Sequence, residues 1–268
     1  MIEFLQSYGP NFSGVVWITA VVAVIIIGIS KAGFGGGVGV IATPLLALVL
    51  PVAESAALLL PILIGADILT ISHYKEQFDR EIIKILLPGA IVGIIFGGLF
   101  FNLLSEREAI IKIGVGIIAI GFVLYQGTKL LIQKKLESYK PADATGISLG
   151  IITGFISTLA HVGGPPYSVY VLPQNLPRNI FVGTTTLFFF IINVLKLIPY
   201  SLLGLIQSGN LIAMVFLIPA AFIGVRLGVW MNKRVDQTVF NSVIYLFLLL
   251  TGIQLILGRS IIGAISGV

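Results

Sequence analysis

The sequence predicts an all-α polytopic membrane protein of two inverted repeats. Each repeat is expected to open on a broken or re-entrant, Gly-rich helix pair and to continue into three transmembrane helices. Three observations carry that expectation. The 268 residues have a mean hydropathy of +1.08, with 57% hydrophobic and only 10% charged residues, a balance produced by long apolar helices and not by a soluble domain. Two apolar runs are interrupted by glycine clusters that each contain a basic residue. Residues 30–39 hold five glycines and Lys31, and residues 159–166 hold His161, Gly163, Gly164, Pro165 and Pro166. Finally, the second half of the chain echoes the first.

Taken in order, residues 1–13 form a weakly amphipathic lead-in, and 15–30 an apolar helix with Trp17 as an interfacial anchor. Glu3 and no base precedes this helix, and no small-x-small cleavage pattern follows, so it is expected to be mature structure and not a signal peptide. After the first glycine break, 40–50 is too short to cross a bilayer, which takes about 20 residues, and Pro51 ends it. Residues 53–73 are long enough to span, with Glu54 in the first turn and Asp67 inside. A polar segment, 74–80, carries Lys75 and Arg80. Spans at 81–104 and 110–128 are joined by Ser105-Glu106-Arg107-Glu108.

The basic stretch 129–143, with Lys134, Lys135 and Lys140, reads as the linker between a first repeat at 1–128 and a second at 144–268. Residues 146–160 are helical up to the second break, and 167–172 form a short continuation closed by Pro173 and Pro177. The remaining spans are 179–200, with Asn193 and Lys196 inside, 209–231, and 238–257.

The duplication is countable. A shift of 131 lays 88–127 on 219–258 without a gap, matching Pro88 to Pro219, Ala90 to Ala221, Gly93 to Gly224 and Gly97 to Gly228. About one position in five is identical, mostly Gly or Pro, whose backbone roles are hard to swap. A shift of 127 puts Gly36-Gly37 on Gly163-Gly164, and one of 126 puts Asp67 on Asn193. Charge supports inversion. If each broken segment enters and leaves on one side, each half crosses three times. Lys75, Arg80, the linker lysines, Arg178, Lys233 and Arg234 then all fall on the inside, as the positive-inside rule asks. The net charge of +5 is thus accounted for by short loops setting topology, with no need for nucleic acid as a partner.

Non-helical backbone at membrane depth survives only where protein buries it or where it lines a wet cavity, and paired breaks mark transport sites. Helix ends there expose N–H groups that attract anions. The candidate substrate-binding residues are therefore Lys31, Gly35, Gly36 and Gly37 from the first break, and His161, Gly163, Gly164 and Tyr167 from the second. Asp67 is a candidate proton carrier, or else pairs with Lys196 or bonds to a neighbouring helix. Asn193 reads as a helix–helix hydrogen bond, Lys196 and Arg226 as snorkelling side chains, Glu54 as a helix cap and Thr184-Thr185-Thr186 as packing groups. Gly89/Gly93/Gly97 and Ala220/Gly224/Gly228 are small-residue rows for close helix packing. Ser157 and His161 stand one turn apart, which invites a nucleophile–base reading, but no third group supports it and no enzyme activity is expected. No cofactor or metal is called for, coupling by H+ or Na+ is open, and a passive anion channel through the same site is the alternative to a secondary transporter.

The motif Gly33-Phe34-Gly35-Gly36-Gly37…Pro44-Leu45-Leu46, with its echo Gly163-Gly164-Pro165, resembles the sulfite exporter TauE/SafE family over nearly the whole chain. The second break departs from the commoner Gly-x-Gly-Gly form, having His161-Val162 before its glycines. The resemblance implies a multi-pass protein of the inner (cytoplasmic) membrane of a bacterium or archaeon. It further implies transport, usually export, of small sulfur-containing anions such as sulfite, sulfonates or thiosulfate.

Overall fold

The structure is a computed structural model and describes residues 12–33, 39–73, 77–136, 141–206, 208–232 and 234–258. Among the described residues the chain is helical throughout, with no strand. Helix α1 (Gly14–Gly33) precedes residues 34–38, which lie outside the described residues, and a 3-10 turn (Gly39–Ile41) and the five-residue α2 (Ala42–Leu46) come after them. Long helices α3 (Val52–His73), α4 (Arg80–Leu103) and α5 (Glu108–Leu136) follow. The second broken pair is α6 (Asp143–Ala160) and the short α7 (Gly164–Val171), and the chain ends with α8 (Arg178–Leu202), α9 (Ser208–Asn232) and α10 (Gln237–Leu257). Six of these helices are long and apolar enough to cross a membrane.

The start of α4 shows why the boundaries fall where they do. Asp79 Oδ1 accepts hydrogen bonds from the Glu81 and Ile82 N–H groups at 2.9 and 3.1 Å, satisfying first-turn donors that would otherwise be orphaned. The Asp79 N–H donates to Thr184 Oγ1 at 2.8 Å, tying this cap to α8. Helix α3 is capped by a residue other than Glu54: the Val52 N–H donates to Glu108 Oε1 at 2.9 Å, from the first turn of α5. Helix α5 runs eight residues past the expected end at 128, because the segment after Thr128 contains helix-compatible Lys, Leu and Gln and no breaker before Pro141.

The chain forms two compact units, each drawing on segments from both sides of 129–143. One comprises 1–62, 104–123 and 205–268, the other 63–103 and 124–204. In the second unit α4 packs along α6, and in the first α9 packs along α1. Both contacts are made by the small-residue rows. A β-carbon on Gly93 would collide with the Ile151 carbonyl, and one on Gly154 with the Ala90 carbonyl. In the other unit, a β-carbon on Gly224 would lie 2.5 Å from the Ile25 carbonyl oxygen, and one on Gly28 2.8 Å from that of Ala221. The backbones thus touch where side chains would hold them apart, the packing that works in lipid, where apolar surface alone gives helices no reason to associate. The two contact sets are related residue by residue: Gly93 to Gly224 and Ala90 to Ala221 by 131, Gly154 to Gly28 and Ile151 to Ile25 by 126.

Large apolar side chains face outward, among them Phe222 on α9, Leu202 on α8 and Ile95 on α4. Arg226 is exposed on α9, and past that helix's end the Arg234 guanidinium lies 5.1 Å from the Trp230 ring centre. Both suit the water–lipid boundary.

Candidate anion site at the second break

Helix α6 is stopped by its own C-cap. His161 adopts the left-handed conformation (φ 56°, ψ 26°), and its N–H donates to the Ser157 carbonyl at 3.0 Å. Glycine is the usual residue there, because a β-carbon crowds the backbone in that region. Gly163 follows, pressed against α6 so tightly that a β-carbon would lie 2.9 Å from the Thr153 carbonyl oxygen and 3.0 Å from Ser157 Cβ. At Gly164, by contrast, a β-carbon would meet nothing within 4 Å. The turn is therefore packed on one side and open on the other.

Helix α7 begins at Gly164 with Pro165 and Pro166 in its first turn. Proline suits that position but carries no N–H. Of the first three helical positions only Gly164 has a donor, so the helix end contributes a favourable field with few hydrogen bonds. An anion held here needs side-chain cations.

One such cation is Lys196, read from the sequence as snorkelling. It does not snorkel. It is 0% exposed, and its Nζ lies 3.1 Å from the Ser157 carbonyl oxygen, 3.1 Å from Ser157 Oγ and 2.8 Å from His161 Nδ1. One turn further along α8, the Tyr200 O–H donates to the Thr158 carbonyl at 2.6 Å. Helix α8 thus satisfies two carbonyls at the α6 C-terminus, where the helix dipole favours a cation. Ser157 Oγ and His161 Nδ1 are both held by the lysine, which removes the nucleophile–base geometry that their spacing suggested.

One turn before Lys196, Asn193 Nδ2 donates to Asp67 Oδ2 at 2.8 Å, and both residues are buried. Asn193 therefore makes the helix–helix bond expected of it, with Asp67 as the acceptor. Asn193, Lys196 and Tyr200 follow the i, i+3, i+7 spacing of a single helix face. That stripe in an otherwise apolar span is the signal in the sequence that could have identified Lys196 as inward-facing.

The other expected residues are placed as follows. The Tyr167 ring is stacked on Phe188 at 5.0 Å and tilted against Phe189 at 5.3 Å, within an apolar cluster that includes Tyr170 and Ile192. It supports α7 from the core. Lys31 lies in the last turn of α1 and is half-buried, next to the fully buried Ser30. Gly35, Gly36 and Gly37 lie outside the described residues. The Thr184, Thr185 and Thr186 hydroxyls each donate to a carbonyl four residues back, the packing role expected of them. Among the described residues no three His, Cys, Asp or Glu side chains cluster as metal ligands.

A family model described as Sulfite exporter TauE/SafE matches residues 20–255. The chain belongs to this family. The match takes in both breaks and all the long helices except the first turns of α1 and the last of α10. TauE/SafE proteins are membrane transporters, in keeping with the six apolar helices seen here. No curated protein and no solved structure matches the chain.

Proposed function

We propose that this protein is a secondary transporter that exports small sulfur-containing anions of the sulfite, sulfonate or thiosulfate type across the cytoplasmic membrane. The observation that carries the reading is the buried Lys196 ammonium, bonded to His161 beside the open side of Gly164. A charge at that depth is expensive, and membrane proteins retain one mainly where it serves a pathway. Lys196, His161 and the Gly164 N–H form the part of the site on the second break, with Gly163 shaping the turn. Lys31 and Gly35–Gly37 are assigned to the equivalent break in the first repeat. Substrate is released by alternating access of two inverted repeats. Support for the repeat comes from the matched glycine contacts and from the Asp67–Asn193 bond. Those two residues are paired by the same shift of 126 that relates Gly28 to Gly154. Movement is driven by an ion gradient, of H+ or Na+, with buried Asp67 a candidate carrier.

The test is counterflow of labelled sulfite in proteoliposomes against unlabelled sulfite, sulfonates, thiosulfate, carboxylates and phosphate. The expected result is saturable exchange with sulfur oxyanions competing best. A flux that neither saturates nor shows counterflow identifies a passive channel through the same site. Absence of any exchange in folded protein contradicts the substrate assignment.

A further inference from the structure

Helix α9 has two faces of different character. Gly224 and Gly228 press on the α1 backbone at Ile25 and Ile29. Half a turn round from them, Val215, Ile218, Phe222, Arg226 and Trp230 follow the three- and four-residue spacing of a single helix face. All five are exposed. Arg234, just past the helix end, completes the stripe. Its guanidinium lies over the Trp230 ring at 5.1 Å, one helical turn from Arg226. Among the described residues neither arginine enters an ion pair. Asp236 is the only carboxylate in residues 205–268, and its Oδ1 accepts the Val239 N–H at 3.2 Å.

We propose that this stripe binds one anionic phospholipid of the phosphatidylglycerol class, with Arg226 and Arg234 on its phosphodiester and an acyl chain laid along Phe222, Ile218 and Val215. Depth supports a lipid. Arg226 lies six residues before the end of α9 at Asn232, about 9 Å along the axis. The headgroup layer on each side of the hydrocarbon is only about 5–8 Å deep. A guanidinium rooted there reaches lipid phosphates before bulk water. Its planar fork of N–H donors matches two phosphate oxygens, and the Trp230 ring holds the Arg234 fork in place. Charge then selects the headgroup. Two cations with no carboxylate in the sequence between them complement a lipid of net negative charge. A choline or ethanolamine headgroup would set its own ammonium beside them, like charge against like.

Other occupants fit less well. A second copy of the chain, packed on this stripe about a two-fold axis, would set Arg226 against Arg226. A free inorganic anion would use the two guanidiniums and leave the apolar half of the stripe without a role. The lipid site is independent of which anion the protein transports.

Trp230 reports on its own site. The chain has two tryptophans, Trp17 and Trp230, so Trp17→Phe leaves Trp230 as the only one. The test is quenching of its fluorescence, in full-length protein reconstituted into bilayers, by phosphatidylglycerol brominated on its acyl chains and titrated against unbrominated phosphatidylcholine. Brominated phosphatidylcholine in the same bilayers gives the reference. The Trp17→Phe protein should prefer phosphatidylglycerol by about five- to twentyfold, each arginine at the membrane surface contributing roughly fivefold. Arg226→Gln and Arg234→Gln should each lower the preference by about fivefold, and the double variant should lose it. Both side chains are exposed, so the variants should fold as the parent does. Equal quenching by the two lipids in the parent overturns the proposal, as does a preference that survives in the double variant. Loss of the preference on adding inorganic phosphate at constant ionic strength identifies a free-anion site and overturns the lipid. If no brominated lipid quenches Trp230, another copy of the chain covers this face, which overturns it as well.

Discussion

His161 is a histidine where the backbone favours glycine. Its left-handed conformation costs on the order of 1 kcal/mol relative to glycine, which adopts that region freely. If the position served only to end α6, His161→Gly would be an improvement. We therefore expect that substitution to leave thermal stability in detergent unchanged or higher, by up to about 1 kcal/mol, while abolishing anion counterflow. Retained counterflow would reduce the imidazole to a capping group. Lys196→Met, close in volume, should likewise lose counterflow; a fully active Lys196→Met would mean that the amine only caps α6. The sequence made His161 visible, because a histidine beside two glycines in an apolar run is conspicuous. It hid Lys196, because its closeness to Pro199 suggested a helix end and because lipid, unlike water, leaves no polar face against which to judge which side looks inward. The position that a shift of 126 pairs with it is Thr70, so the internal sequence match gave no hint of a lysine either.

At the level of helices, packing is set by positions with no side chain. Gly93 and Gly154 lie where a β-carbon collides with the opposite backbone, whereas Gly121 has nothing within 4 Å. Gly154→Leu should therefore destabilise the protein by at least about 1–3 kcal/mol through overpacking. Gly121→Ala should be neutral or stabilising by up to about 1 kcal/mol, since alanine is the better helix former. Thermal unfolding of the two variants checks the contrast, and equal effects would contradict the packing described. The glycine rows, the prolines and the second break were readable, because each depends on a residue with an unusual backbone. What the rows pack against was not, since pairing α4 with α6, and α9 with α1, requires contacts between residues more than fifty positions apart. The helical continuation of α5 to Leu136 was missed because a run of lysines looks like a loop, although lysine is a good helix former.

For the whole molecule, the matched glycine and proline positions were legible in the chain while the compact units were not: each unit takes helices from both sides of 129–143. The charge pattern still makes a definite topological prediction. The chain has no cysteine, so single cysteines can be introduced into a clean background. Cysteines placed in segments 77–79, 137–140 and 234–236 should be protected from a membrane-impermeant thiol reagent applied outside, and one at Glu106 should react. Labelling of Glu106→Cys from the cytoplasmic side alone would overturn the inverted arrangement. The central claim is that the buried Lys196 and the half-buried His161 at the second break bind a sulfur oxyanion for carrier-type transport. Sulfite counterflow in proteoliposomes, comparing wild type with Lys196→Met and His161→Asn, tests it most directly. We predict saturable exchange in wild type that drops to the protein-free background in Lys196→Met and is weakened in His161→Asn. Wild-type rates in both folded variants would contradict the claim and move the substrate site elsewhere in the protein.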